Sequence, residues 1–197
     1  ISFDFLVFSE AYENAIRLAK KYGITELSNY MLYNYHDKPE ELWHRLKINS
    51  DLNRELGTKI YSFPMKYMPI DAPYAKDRSF IGPHWNSKYL RSIQIILNVT
   101  NGAVATTPSL SEKAFGETLE EFFKILMMPE PYIRYRFRFE ETGDTDKWFY
   151  QWQNLNPMER KEAEDIIYKQ QFFSMNGSTS KVVAEFIKQH YQFRYKE

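Results

Sequence analysis

The sequence predicts an α/β fold built on parallel strands, followed by a mostly helical C-terminal part. Three observations carry that expectation. Two extended, aromatic-rich runs, residues 24–35 and 58–67, are separated by one amphipathic segment of helix length. A glycine, Gly23 or Gly57, stands immediately before each run, where a helix would stop. The spacing from Ile24 to Lys59 is one strand, one helix and two tight turns, which suits a parallel crossover.

Taken in order, ISFDFLVF (1–8) is an apolar run of strand length, and Ser9 is a fair N-cap. A helix is expected over about 10–22, with Tyr12, Ala15, Ile16, Ala19 and Tyr22 on one face. After the second strand, Asp37 reads as an N-cap, Pro39 as a first-turn residue and Glu40 as the third helical position of a capping box. Leu42, Leu46, Leu52 and Leu56 give this helix its apolar side. Pro64 in the third strand lacks a backbone donor and so belongs at an edge, a bulge or the strand's end.

Pro69, Pro73, Gly82 and Pro83 mark a long connection of the kind that often covers a site. Helices are expected over 85–98, from Ser109 and its capping partner Glu112 to Pro129, from Asn156 to about Phe172, and from Ser180 onward. Tyr132–Phe139 reads as a short strand. Trp148, Phe149 and Trp152 share one helical face, suited to covering the bottom of a sheet or a missing half. The expected organisation is α/β units over 1–105 and a helical extension over 106–197 packed on the same core.

Lys plus Arg and Asp plus Glu number 26 each, so no global field favours nucleic acid or an anionic surface. With 15 Tyr, 15 Phe and 7 Gly the chain reads as a large-residue core. The absence of cysteine excludes disulfides, thiolate zinc, a cysteine nucleophile and any cysteine-held cluster within these residues. It fits a reducing, cytoplasmic setting. No run reaches the roughly 18 apolar residues of a membrane span, so no membrane partner is expected. The sequons at Asn98 and Asn176 are expected to be unglycosylated, and the start at Ile1 suggests a piece of something longer.

SNYMLYNYHDKPEELWHRLKINSDLNRELG (28–57) and then IYSFPMKYMPI (60–70) resemble the late barrel strands of a group of radical S-adenosylmethionine proteins. The likeness extends over about 10–105. It implies a partial TIM-like (β/α) barrel whose earlier strands carry a CxxxCxxC loop holding a four-iron cluster. S-Adenosylmethionine is then a cofactor of the parent protein, with no cofactor expected on this chain alone, because CxxxCxxC is missing here. The expected role is to support cofactor and substrate while being catalytically silent, with no catalytic or metal residues of its own.

Parallel barrels place their sites at the carboxyl ends of strands. On that basis the resemblance points to Asn34 at the mouth of the second strand, and to the backbone around Met65, Lys66 and Tyr67, as cofactor contacts. Asp4, a carboxylate between Phe3 and Phe5, is either a surface residue or a site residue, since burying it unpaired is costly. His36, Asp37 and His44 invite a metal reading, but Asp37 has a capping role and His44 falls on a polar helix side. An ordinary barrel enzyme working through Asp4, His36 and Asp37 is a further reading.

The partner expected first is the missing N-terminal half of the same protein, or a second copy meeting an exposed sheet edge. The alternative function is a non-catalytic protein- or RNA-interaction domain using such an edge or the alternating Arg134, Arg136 and Arg138. Zero net charge argues against nucleic acid.

Overall fold

The computed structural model describes residues 1–71, 73–175 and 179–192. The fold is mixed α/β, and the chain divides into two compact units. One comprises Ile1–Trp85 and Ile96–Phe123, and the other Asn86–Ile95 and Lys124–Glu197. Among the described residues no helix is long and apolar enough to cross a membrane. The sequon at Asn98 lies in a helix, and that at Asn176 lies outside the described residues.

The first unit opens with an extended segment, a 3-10 turn Leu6–Phe8 and helix α1, Ser9–Lys21. Strand β1, Glu26–Tyr33, helix α2, Pro39–Leu56, and strand β2, Lys59–Lys66, come next. The strands pair in parallel, in register from Glu26 opposite Lys59 to Tyr33 opposite Lys66. The parallel pair is as the sequence predicts.

Period-two alternation sends Asn29, Met31 and Tyr33 of β1 and Ile60, Ser62 and Pro64 of β2 into the buried layer. Leu42, Leu46 and Leu52 of α2 and Tyr12 and Ile16 of α1 are buried as well. Tyr22 is exposed, contrary to its place in the expected apolar face. The other face of the sheet carries Tyr30 and Met65, 49% and 52% exposed, with half-buried Leu32 and Phe63.

Residues 1–8 are not a full strand. They make one parallel bridge, Ser2 to Tyr30, after which the chain turns away. Two side chains cause the break. Leu32, the next outward-facing residue of β1, gives its amide to the Asp4 carboxylate at 2.7 Å and its carbonyl to the Arg45 guanidinium at 2.8 Å. Asp4 and Arg45 together replace the backbone of a continuing neighbour.

Two helix starts also differ. Asp37 does not cap α2; Lys38 holds that position, and Glu41, not Glu40, takes the Lys38 amide at 2.7 Å. The single helix expected from Ser109 to Pro129 is two, α5 (Pro108–Phe115) and α6 (Leu119–Met127), after the short α3 (Tyr74–Asp77) and α4 (Ser87–Val99). Gly116 breaks it at φ 87°, where a Cβ would lie 2.6 Å from the Phe122 amide nitrogen.

In the second unit come α7 (Glu130–Arg134), α8 (Arg136–Glu141), α9 (Asp144–Asn154), α10 (Pro157–Tyr168) and α11 (Lys181–His190). Tyr132–Phe139 is therefore helical rather than a strand, because its buried residues Tyr132 and Phe139 are two helical turns apart and their rings pack at 4.5 Å. Arg134, Arg136 and Arg138 accordingly form no strand row. Asn156 caps α10 as expected, its Oδ1 accepting the Met158 and Glu159 amides at 3.0 Å each.

The carboxyl end of α6 is closed by side chains. Ser92 Oγ donates to the Leu126 carbonyl at 2.7 Å, Tyr191 Oη to Met127 at 2.8 Å, and the Lys88 amine to Met128. These carbonyls are the unpartnered acceptors that every helix leaves at its end. Burial pushes the Lys88 amine down to about 7.

His190 is also buried. Its Nδ1 lies 3.1 Å from Tyr132 Oη and its Nε2 2.5 Å from Gln151 Oε1. Gln151 Oε1 only accepts, so Nε2 carries the proton and Nδ1 accepts from Tyr132. Burial pushes the ring down to about 4. Because the unfolded ring protonates first, the stability it contributes is full above pH 6.5 and is lost as pH falls toward 4, on the order of 3 kcal/mol in all. Urea melts across this window should show that slope, and His190→Gln should flatten it; identical slopes in both proteins would refute the assignment.

Candidate functional site

The carboxyl ends of β1 and β2 and the connection 67–85 form the candidate site. At the end of β1 the chain reverses through Asn34, whose φ of 70° is a conformation that asparagine tolerates better than most residues. The side chain is fully buried and donates from Nδ2 to the Tyr67 and Phe80 carbonyls, both at 3.1 Å. Its Oδ1 accepts the Gly82 amide at 2.8 Å. Gly82 is required there, since a Cβ would meet the Tyr35 carbonyl oxygen at 2.6 Å.

Beyond Asn34, Asp37 and Arg45 form a buried ion pair at 3.0 Å, with side chains 5% and 0% exposed. Asp37 Oδ1 also accepts the Tyr35 amide at 3.0 Å and the Trp85 indole at 3.3 Å. Burial pushes the Asp37 carboxyl up, against the downward pull of the Tyr35 amide and of Arg45. Burial pushes the Arg45 guanidinium down, opposed by Asp37 and Asp4. Arg45 Nη1 faces three carbonyls, Phe3, Asp4 and Leu32, at 3.0, 2.9 and 2.8 Å, and Nε donates to Glu41 at 3.1 Å.

Below this pair lies a second polar row. Tyr12 Oη donates to Asn49 Oδ1 at 2.8 Å, and Asn49 Nδ2 donates to Ser62 Oγ at 2.8 Å and Asn29 Oδ1 at 3.3 Å. Asn53 Oδ1 then accepts the Ile60 amide at 2.8 Å, and its Nδ2 reaches the Ile60 carbonyl at 3.3 Å.

Part of each outer row of the strand pair is engaged within the chain. On the outer side of β1, Tyr30 bonds Ile1 and Phe3, and Leu32 bonds Asp4 and Arg45. On the outer side of β2, Ile60 bonds Asn53, the Ser62 carbonyl accepts the Val104 amide at 2.8 Å, and Pro64 has no donor to offer. Pro64 thus sits at an edge, as its chemistry requires.

The residues expected from sequence separate into two groups. Asn34, at the end of β1, and Asp4, in the opening segment, commit their side chains to this protein's own backbone, Asp4 also accepting from Ser2 Oγ at 3.1 Å. Met65, Lys66 and Tyr67 line the rim at the end of β2, the first two exposed and Tyr67 half-buried. His36 and His44 are exposed and Asp37 is held by Arg45, so the three do not converge. Arg45, Asn49 and Asn53 escape a reading of the sequence alone. Their signal is a polar residue at every fourth position within an otherwise apolar helix face.

No protein-family model matches the chain, and neither a curated protein nor a solved structure matches it.

Replacing Asn34 with Ala removes three hydrogen bonds and strains the positive φ, and should lower unfolding free energy by about 3 kcal/mol. Gly82→Ala should cost about 1–3 kcal/mol by overpacking. An unchanged urea midpoint for Asn34→Ala would show that the side chain is not a structural clamp.

Proposed function

We propose that this chain forms late strands of a (β/α) barrel wall in a radical S-adenosylmethionine-type protein, supporting cofactor and substrate. The observation that carries the reading is a parallel β-α-β unit covered on one face only. Asn29, Met31, Tyr33, Ile60, Ser62 and Pro64 face the covered layer, while Tyr30, Leu32, Phe63 and Met65 look the other way. In a closed barrel the uncovered face would be the lumen, and the rim of Met65, Lys66 and Tyr67 would stand at its active end. The resemblance of the motifs at 28–57 and 60–70 to that family's late strands supports the reading.

A cysteine-held cluster of the kind this family uses does not fit these residues, since the chain has no cysteine, and its ligands would come from outside these 197 residues. S-Adenosylmethionine fits the rim only through Met65, Lys66 and Tyr67, whereas the side chains of Asn34 and Asp4 are already engaged. The cofactor supplies the reacting group, and this chain's part is to bind and orient it. The partner that suits the uncovered face is the rest of the same protein, because Tyr30 and Met65 leave that face exposed.

Sequencing the coding region upstream of Ile1 tests the reading. An in-frame CxxxCxxC is the expected result, and a start codon immediately before Ile1 would overturn it.

A further inference from the structure

Among the described residues, two cations at the carboxyl end of β2 are left without an acidic partner. Lys66 Nζ lies 3.4 Å from the Arg78 carbonyl, and neither Lys66 nor Arg78 forms an ion pair there. Among the described residues no ion pair joins the acidic residues of the connection to them. Asp77 turns its carboxylate to the Ser79 amide at 2.9 Å, and Asp71 is exposed. Partial burial and the neighbouring Arg78 both push the Lys66 amine down, so the two positive charges already oppose each other. Like charges left adjacent at a rim are stabilised by an anion, and Lys and Arg are the side chains that bind one best.

The placement of Arg78 is built rather than incidental. Asn34 draws the Tyr67 and Phe80 carbonyls onto one side chain, so the two ends of the 67–80 connection meet. Arg78 itself has φ 56°, and its amide bonds the Tyr74 carbonyl at 3.1 Å. The connection also carries rings in a continuous run. Tyr35 meets Tyr67 at 4.6 Å, Tyr67 meets Phe80 at 5.5 Å, and Phe80 meets Tyr74 at 5.5 Å. Arg78 lies between Tyr74 and Phe80 in sequence, and its amide bond to the Tyr74 carbonyl keeps it within one turn of that ring's residue. Tyr74 is 42% exposed, so part of this aromatic surface is accessible.

We propose that Lys66 and Arg78, with the ring run Tyr35, Tyr67, Phe80 and Tyr74, form a site for a nucleoside-phosphate ligand: the cations take the phosphate and the rings take the base. Base–aromatic stacking and charge-assisted bonds to phosphate are the two interactions this combination of side chains supplies. The site shares Lys66 and Tyr67 with the rim proposed above for S-adenosylmethionine, but it is argued from the cations and rings alone and stands whatever lies upstream of Ile1.

The probes are AMP, adenosine and inorganic phosphate, titrated calorimetrically into the whole chain. AMP should bind at least about tenfold tighter than adenosine, the preference expected of charge-assisted bonds to one phosphate. The double substitution Lys66→Gln with Arg78→Gln should erase that preference and leave adenosine binding, and Lys66→Arg with Arg78→Lys should restore it. Tyr74→Ala should weaken adenosine and AMP alike while sparing phosphate. Equal affinities for AMP and adenosine, no binding of AMP, or a preference that survives the double glutamine variant would each overturn the proposal. Circular dichroism establishes that each variant is folded, as expected for substitutions at exposed side chains.

Discussion

A parallel pair of strands has two outer rows of amides and carbonyls; burying them unpaired is costly, and exposing them leaves a template for pairing with another chain. The structure depends on how Arg45 meets that constraint. From one position in α2 its guanidinium collects carbonyls of the first segment, of β1 and of its own helix, and balances its charge on Asp37. Asn53 serves Ile60 of β2 in the same way from two turns further along. The helix that covers the sheet therefore also engages an outer group of each strand.

This arrangement explains how much of the fold is legible in the sequence. The parallel pair, the helix between the strands and the cap at Asn156 arise from local rules: spacing, period-two alternation and an Asx cap. The failures have non-local causes. Residues 1–8 have strand composition, but they stop pairing where Asp4 and Arg45 take over Leu32. Asp37 looks like an N-cap to any local reading, yet an arginine eight residues on claims it. Gly116 inside a helical pattern reads as tolerable until the close approach of Phe122 makes it a break.

The candidate site shows the same division. Position along the strands is enough to put Met65, Lys66 and Tyr67 at the carboxyl end of β2. It is not enough to tell a ligand contact from a clamp, and Asn34 is a clamp because three backbone groups converge on it. The rim is held in place by groups behind it: Asn34 secures the returning connection, and Asp37 accepts from Trp85 at the connection's end. A rigid support with exposed cations and rings at its front is the arrangement expected of a binding wall. The uncovered sheet face and the motif resemblance give that wall its proposed setting.

Asp37 and Arg45 must act as one unit if α2 is to engage the strands in this way. A double-mutant cycle with Asp37→Asn and Arg45→Met, read by urea denaturation, tests this directly. The two single substitutions should each cost about 3–5 kcal/mol, and the double substitution should cost less than their sum by at least about 1 kcal/mol. Strict additivity would contradict it.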